Sequence, residues 1–124
     1  MPPSDQIASA RYISLETYRK SGEPVRTPVL VVEDKGLYFV RTDPRSGKVK
    51  RIRGNPRVRM APSNFGGKVE GTWVDGQASM VTGDEAERVQ ALFRAKYGLR
   101  IPLLKIWHSI TRMPRHAIIA IRPT

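Results

Sequence analysis

The sequence predicts a mostly β fold with helices, in which six or so antiparallel strands form a small barrel and two or three helices pack beside it. Short runs of β-branched and aromatic residues alternate with turn residues up to about residue 82. Two helical patterns come late in the chain, and no segment is repeated. At 124 residues, the chain is expected to form a single domain that spans residues 1–124.

The first predicted elements are a short helix and a strand. Residues 5–10 favour a helix, with Ser4 or Asp5 as its N-terminal cap. Over residues 11–18, aliphatic side chains tend to occupy every second position, which predicts a strand whose aliphatic face points inward. The Ser-Gly-Glu-Pro stretch at 21–24 is typical of a turn.

A β-hairpin is predicted next. Residues 25–33 are largely apolar and β-branched, residues 34–36 form an Asp-Lys-Gly turn, and residues 37–42 form the returning strand. Pro28 lies inside the first of these strands, where it removes a backbone donor. Its presence therefore indicates a sheet edge, a bulge or a face that meets a ligand.

A basic helical turn follows the hairpin. Residues 46–53 read Ser-Gly-Lys-Val-Lys-Arg-Ile-Arg, in which Gly47 would let the backbone turn sharply before residues that favour helix. Amide groups at the start of such a helix, beside Lys48, Lys50 and Arg51, would form a pocket for an anion such as phosphate. Taken alone, the stretch also fits a solvated basic face.

Two strands are predicted downstream. Asn55-Pro56 ends the helical turn, and residues 57–61 alternate as a half-buried strand. After a loop at 64–68, residues 73–82 form a strand that the Asp-Gly pair at 75–76 is expected to interrupt.

Two helices and a last strand complete the prediction. The first helix opens at residues 83–85, where acidic side chains suit the first turn, and Gly98 closes it. A second helix begins at Pro102, and residues 117–121 form a buried strand. The first helix has one apolar stripe, which consists of Val89, Leu92, Phe93 and Tyr97.

In this order, these motifs resemble the split β-barrel flavin and deazaflavin oxidoreductases, the pyridoxamine 5'-phosphate oxidase-like superfamily with an FMN-binding-like fold. The resemblance is closer to the F-420-dependent (deazaflavin) branch. It covers residues 11–63 closely and the rest loosely, through Lys96-Tyr97-Gly98 and the last strand. The matching positions are Ser14–Thr17, Gly22, Pro24–Val29, Leu37-Tyr38, Thr42, Ser46–Arg53, Asn55–Val58 and Ala61-Pro62.

The resemblance implies a set of cofactor contacts. The residues that would lie against the deazaflavin ring are Thr27, Pro28 and Val29. The residues that would hold the phosphate end are Thr42, Ser46, Lys48, Lys50 and Arg51. The residues that would flank the cofactor from the next strand are Pro62 and Ser63. Because Lys48 and Lys50 diverge on the helical turn, only one of them is expected to reach the phosphate directly.

The implied function is an F-420-dependent oxidoreductase that transfers hydride from the reduced deazaflavin to an electron-poor double bond of a small organic substrate. The alternative is an FMN-binding member of the same superfamily. FMN-dependent members typically carry an Arg-x-Val-Leu-Leu-Lys strand, whereas residues 26–32 end in an apolar residue, which favours the deazaflavin. A homodimer with the cofactor in a cleft between the subunits is also implied. No catalytic side chain is assigned.

The charge balance predicts an anionic partner. The chain has 22 Lys and Arg against 11 Asp and Glu, a formal net charge of +11. Such a field attracts nucleic acid, acidic lipid or an anionic cofactor. The phosphodiester and glutamate tail of F-420 would account for the sign. A non-enzymatic basic nucleic-acid-binding domain is the alternative from another class, although the sequence has no RNP-like aromatic motif or helix-turn-helix pattern.

Other features narrow the function further. The absence of cysteine fits a reducing cytoplasm, and no apolar run approaches the roughly 20 residues of a membrane span, so a soluble cytoplasmic protein is expected. His108 and His116 have no partner at metal-ligand spacing, so no metal site is expected. Three aromatic residues could line a substrate cavity but are predicted to be core by default: Trp73, Tyr97 and Trp107.

Overall fold

The computed structural model describes residues 3–98 and 117–124. Its elements, in chain order, are α1 (Pro3–Ser9), β1 (Tyr12–Tyr18), β2 (Pro24–Val29), β3 (Val31–Asp34), β4 (Leu37–Thr42), α2 (Gly47–Gly54), β5 (Arg57–Ser63), β6 (Val74–Val81), α3 (Gly83–Tyr97) and β7 (Ala117–Pro123). The predicted mostly β fold with helices is confirmed. The helix predicted from Pro102 lies outside the described residues, and so do Trp107, His108 and His116. None of the described helices is long and apolar enough to cross a membrane.

The seven described strands form one antiparallel sheet in the order β2-β1-β5-β6-β7-β4-β3. Its two edge strands, β2 and β3, are separated in the chain only by Leu30. One run of chain therefore pairs with β1 through Val29 and Ile13, and then with β4 through Val31 and Val40. This change of partner curls the sheet into the predicted split barrel. The sequence predicted an unbroken strand here, and the break at Leu30 is a correction.

The hairpin between β3 and β4 turns through two residues. Lys35 and Gly36 have φ values of 55° and 82°, and Asp34 pairs with Leu37. Two-residue hairpin loops favour positive φ at both positions because that backbone matches the right-handed twist of the strands. The Gly36 N–H donates to Glu33 Oε1 at 2.9 Å. The predicted turn is confirmed.

The predicted interruption of β6 is wrong, because Asp75 and Gly76 continue the strand. Gly76 is buried, and a Cβ atom at this position would lie 2.6 Å from Ile121 Cγ2 and 3.2 Å from the Arg122 carbonyl oxygen. Glycine is therefore needed for the close approach of β6 to β7, and it does not mark a turn.

Two apolar clusters stabilise the sheet. The interior cluster includes Ile13, Leu15, Val58, Met60, Ile119 and Ile121. The second cluster lies between the sheet and α3, and it includes Phe39, Val81, Val89, Phe93, Tyr97 and Ile118. The predicted apolar stripe of α3 is confirmed, with Leu92 half-buried. Full burial of one such aliphatic or aromatic side chain contributes about 1.5–3 kcal/mol.

Side chains of α3 bridge the split between β3 and the start of β1. The Tyr97 hydroxyl accepts from the Val31 N–H at 3.1 Å and lies 2.7 Å and 2.9 Å from the carbonyl oxygens of Val31 and Arg11. Lys96 Nζ donates to the carbonyl oxygens of Ala10 and Val31 at 2.8 Å and 2.7 Å. These contacts satisfy backbone groups of Val31 at the edge of β3 and of Ala10 and Arg11 before β1.

Candidate functional site

The helix α2 lies at the end of β1 and carries the basic motif on its outer faces. Val49 and Ile52 are buried and attach the helix to the barrel. The Asn55 N–H donates to the Arg51 carbonyl oxygen at 2.8 Å. Pro56 follows, so the helix ends at Gly54. The predicted basic helix is confirmed. Because its apolar residues face the barrel, its lysine and arginine side chains lie at the surface or are half-buried.

Arg51 is held in place by Thr17 and has room beside Gly47. Its Nε donates to Thr17 Oγ1 at 2.7 Å. A Cβ atom on Gly47 would lie 2.6 Å from Arg51 Nη1. Gly47 does not have a positive φ, so the predicted need for a sharp turn is wrong, and the glycine instead leaves room for the guanidinium group. Burial, and next the charge of Arg19, lower the pKa of Arg51.

Three of the predicted phosphate contacts lie near the start of α2. Thr42 Oγ1, at the end of β4, donates to Ser46 Oγ at 3.3 Å. Lys48 is half-buried in the first turn. Burial, and then the charge of Arg51, lower its pKa, while Asp43 opposes the shift. A cation that is partly removed from water in this way gains most from a bound anion.

The other two predicted phosphate contacts, Lys50 and Arg51, line a cavity of about 710 Å³ between α2 and the end of β1. The described residues that line it are Tyr18, Arg19, Lys20, Gly47, Lys50, Arg51, Gly54 and Asn55. Sequence reasoning missed Arg19 and Lys20. Their positive charge next to a predicted turn was the only available signal, and many surface turns carry such charges.

The three predicted ring contacts lie on β2 but face different directions. Val29 is buried in the interior cluster. Pro28 is exposed, and Gly67 of the loop after β5 lies close to its ring. Thr27 is half-buried, and its Oγ1 is buried without a hydrogen-bond partner among the described residues. A ligand on the exposed side of this strand would therefore meet the Pro28 ring and the backbone, and it would have to enter beside Val29 to reach the Thr27 hydroxyl.

Pro62 and Ser63 lie at the opposite end of β1 from α2. Pro62 pairs with Ile13 in the register, and the buried Ser63 donates its hydroxyl to the Asn64 carbonyl oxygen at 3.2 Å. Both residues line a cavity of about 570 Å³. The other described residues that line it are Gln6, Ser9, Ala10, Arg11, Tyr12, Asn64, Phe65 and Glu70.

The predicted site residues therefore follow β1 from end to end. Arg51 contacts Thr17, Thr27 pairs with Leu15, and Pro62 pairs with Ile13. From Thr17 to Ile13 the strand rises about 13 Å, at roughly 3.3 Å per residue. The arrangement is extended, with cations at one end and mostly neutral groups at the other. It suits an elongated ligand with one anionic end.

A polar cluster on the outer face of the sheet was not predicted. Glu16 is only 2% exposed, and it accepts from Tyr18 Oη at 2.6 Å, from Arg26 Nε at 2.7 Å and from Arg59 Nη1 at 3.4 Å. The Trp73 ring lies 4.8 Å and 4.9 Å from the guanidinium carbons of Arg26 and Arg59. Burial raises the pKa of Glu16, but the Tyr18 and Arg26 hydrogen bonds and the arginine charges outweigh it, so the pKa is lowered overall.

Comparison with known proteins identifies the family. Residues 4–124 match the family model described as pyridoxamine 5'-phosphate oxidase. No curated protein matches the sequence significantly.

Solved structures share the fold at low sequence identity. An F-420 reductase is 16% identical, with 100% of this chain and 94% of that chain covered and a TM-score of 0.65. An FAD-binding protein from Mesorhizobium loti is 15% identical, with 97% of this chain and 84% of that chain covered and a TM-score of 0.68. The heme storage protein of Vibrio cholerae is 17% identical, with 98% of this chain and 87% of that chain covered and a TM-score of 0.71. Since the family model covers almost the whole sequence, the chain belongs to the pyridoxamine 5'-phosphate oxidase family.

Proposed function

We propose that the protein is an F-420-dependent oxidoreductase that acts on an electron-poor double bond of a small organic substrate. Membership of a family of flavin-type oxidoreductases supports the general reaction. The match of residues 11–63 to the deazaflavin branch favours F-420 over FMN. When bound, F-420 supplies the hydride, which leaves C5 of the reduced deazaflavin.

The observation that carries this proposal is the environment of Lys48. It is half-buried at the start of α2, close to Ser46, and both burial and Arg51 make its positive charge less favourable. A phosphate bound there would offset that cost and would accept charge-assisted hydrogen bonds from Lys48. We therefore assign Lys48, with Thr42 and Ser46, to the phosphate end of the cofactor. Lys50 and Arg51 would extend the positive field from the next face of the helix.

The strand β2 offers a fitting surface for the ring. Thr27 Oγ1 is a buried hydroxyl without a partner among the described residues, which a bound polar group would satisfy. Pro28 has no N–H, so Pro28 and Ser14 form a non-hydrogen-bonded pair, in which the backbone groups of Pro28 point away from β1. By the alternation of the strand, the Arg26 N–H points the same way and is available to a ligand. Pro62 and Ser63 would flank the ring from β5.

We further propose that the protein works as a cytoplasmic homodimer of single-domain subunits with the cofactor in a cleft between them. The site described above is an open row of groups along β1 rather than an enclosed pocket. A second subunit laid over this row would exclude water from the cofactor and complete the walls around the substrate.

The direct test is a binding titration followed by absorbance, with F-420 and FMN in separate experiments. We expect the protein to bind F-420 more tightly than FMN. Lys48→Ala should weaken F-420 binding about 10- to 100-fold, because a hydrogen bond to a charged group contributes about 1.5–3 kcal/mol.

The matched control is Lys35→Asn, which also removes one positive charge. It lies in the exposed hairpin turn, and asparagine tolerates the positive φ of that position. This variant should bind F-420 like the unchanged protein. Equal affinities of the two variants would place the phosphate elsewhere. Binding of FMN without F-420 would indicate the FMN branch, and displacement of F-420 by duplex DNA at physiological salt would favour a nucleic-acid-binding function.

A further inference from the structure

We propose that the cavity beside Pro62 and Ser63 is the subsite for the substrate, that it takes a neutral, flat conjugated compound, and that Phe65 selects for this shape. The assignment to a substrate rests on the proposed function. The cavity, which we call the Phe65 cavity, has a volume of about 570 Å³ and is lined by the ten described residues given above. This volume lies within the range of cavities that bind small molecules.

Phe65 is held in an exposed position by an ordered loop. It is the one large hydrophobic side chain among the described residues that is mostly exposed, at 78%. The Asn64 N–H donates to the Lys68 carbonyl oxygen at 3.0 Å, and the Gly67 N–H donates to the Asn64 carbonyl oxygen at 3.0 Å. The Lys68 N–H donates to Asn64 Oδ1 at 2.9 Å. These bonds fix the loop, so the phenyl ring is available to a ligand at little further cost in conformational freedom.

A second ring completes an aromatic wall. The centroids of the Phe65 and Tyr12 rings lie 5.5 Å apart, and the ring planes meet at 77°. Both residues line the Phe65 cavity. Aromatic rings prefer offset-stacked or edge-to-face contacts, so a flat conjugated compound can lie against one of these rings and meet the edge of the other.

The charges of the Phe65 cavity balance. Among the described residues that line it, Arg11 is the one cation and Glu70 the one carboxylate, and both are exposed. The cavity beside α2, in contrast, is lined by four cations and by no described carboxylate. A cavity without a net charge has no preference for an anion, which favours a neutral ligand.

The position of the Phe65 cavity suits a compound that reacts with the cofactor ring. Pro62 and Ser63, which line it, are two of the residues assigned to the ring. The loop that carries Phe65 also reaches the ring contact on β2, since a Cβ atom on Gly67 would lie 3.9 Å from Pro28 Cδ. A hydride acceptor has to lie next to its donor, and the Phe65 cavity adjoins both sets of ring residues.

Menadione is the probe, because it is neutral and flat and contains an electron-poor double bond, and the chain has no cysteine with which it could react. Its binding is measured by equilibrium dialysis from the absorbance of free menadione, with and without F-420. We expect binding that changes little between low and high NaCl, because a neutral ligand gains nothing from the positive field of the protein.

The informative variant is Phe65→Ala. It should weaken menadione binding about 10-fold, because it removes a ring contact and the apolar area that the ring covers. Phe65→Tyr keeps the ring and should bind like the unchanged protein. Lys68→Ala is the matched control, since Lys68 is exposed in the same loop but is not among the described residues that line the cavity. All three variants should bind F-420 with unchanged affinity.

The proposal is overturned if menadione does not bind either with or without F-420, if Phe65→Ala binds it like the unchanged protein, or if F-420 displaces it, since the cavity would then hold the cofactor. It is also overturned if light scattering shows that Phe65→Ala dissociates a dimer, because a second copy would then cover the ring. If F-420 itself does not bind, the proposed function fails, whereas menadione binding that depends on Phe65 still supports a site for a neutral, flat ligand in the Phe65 cavity.

Discussion

Glu16 shows how strongly one buried carboxylate can organise its surroundings. It is almost fully buried on β1, and it accepts hydrogen bonds from Tyr18, Arg26 and Arg59. The same contacts raise the pKa of Tyr18, through burial first and then through the hydrogen bond and negative charge of Glu16. Both arginines also lie beside the Trp73 ring. Glu16 therefore holds β2 and β5 to β1 on the face opposite the interior cluster.

We expect Glu16→Gln to lower the free energy of unfolding by about 1.5–3 kcal/mol at neutral pH, the usual range for hydrogen bonds to a charged group. Because the pKa of Glu16 is lowered in the folded state, its stabilising contribution is fully present above its ordinary value of 4.5 and is lost as the pH falls through the folded value. Urea unfolding at several pH values measures this.

The difference between the unchanged protein and Glu16→Gln should thus shrink below about pH 4.5. The control is Glu23→Gln, at an exposed residue of the turn after β1, which should change stability little at any pH. A constant difference down to pH 3 would show that Glu16 stabilises the fold through shape rather than through its charge.

At the scale of elements, the helix α3 does more than cover an apolar face. Its last turn brings Lys96 and Tyr97 to backbone groups of Val31 on β3 and of the segment before β1. Burial lowers the pKa of Lys96 and raises that of Tyr97, so both groups are drawn away from water to make these contacts. The helix thereby joins two parts of the sheet that no described strand pairing connects.

We expect Tyr97→Phe to destabilise the protein by about 1–3 kcal/mol, because it leaves the buried Val31 N–H without its acceptor and keeps the aromatic packing on Phe93. Urea unfolding measures the change. The matched control is Tyr12→Phe, at a half-buried tyrosine of the same sheet whose ring contacts Phe65. Equal effects of the two substitutions would contradict a specific role for the Tyr97 hydroxyl.

Most elements could be predicted from the sequence because their signals are local. The strands carry alternating or β-branched residues, and α2 and α3 carry helix formers. The break at Leu30 could not be predicted, since it depends on which strands the chain meets. The prediction at Gly76 was wrong because a glycine in a sequence can indicate either a turn or a close approach of two strands. Only the folded structure, in which Ile121 lies next to Gly76, shows that the second reason applies here.

The candidate site was predictable in composition but less so in arrangement. The basic residues of α2 form a recognisable motif, yet nothing in it shows that Lys48 is half-buried or that Arg51 reaches Thr17 on β1. Thr17 and Gly47 both lie beside the Arg51 side chain, although Thr17 is far from it in sequence and Gly47 is four residues before it. Their positions around Arg51 are defined only once β1 and α2 are packed together. The unpaired hydroxyl of Thr27 likewise depends on the completed sheet.

At the scale of the whole molecule, the proposed homodimer should be directly measurable. Light scattering at micromolar concentration should give about twice the subunit mass of 14.0 kDa. The dimer is expected because the open row of site residues along β1 needs a second wall to exclude water. A monomeric mass together with full F-420 binding would contradict the shared cleft, whereas a dimer that falls apart only at high salt would indicate an interface dominated by charge.

The continuity of β2 and β3 also bears on solubility. A sheet with two exposed edges can recruit strands from other molecules, which is the first step toward aggregation. Here both edge strands belong to one run of chain, residues 24–34. The features that protect the edges against pairing with other molecules therefore all act on this one short segment. Pro24 and Pro28 remove two donors from one edge, and the Tyr97 and Lys96 side chains occupy the Val31 groups of the other. Replacement of either proline, or loss of the α3 contacts, would therefore expose a template for intermolecular β pairing while the rest of the barrel stays folded.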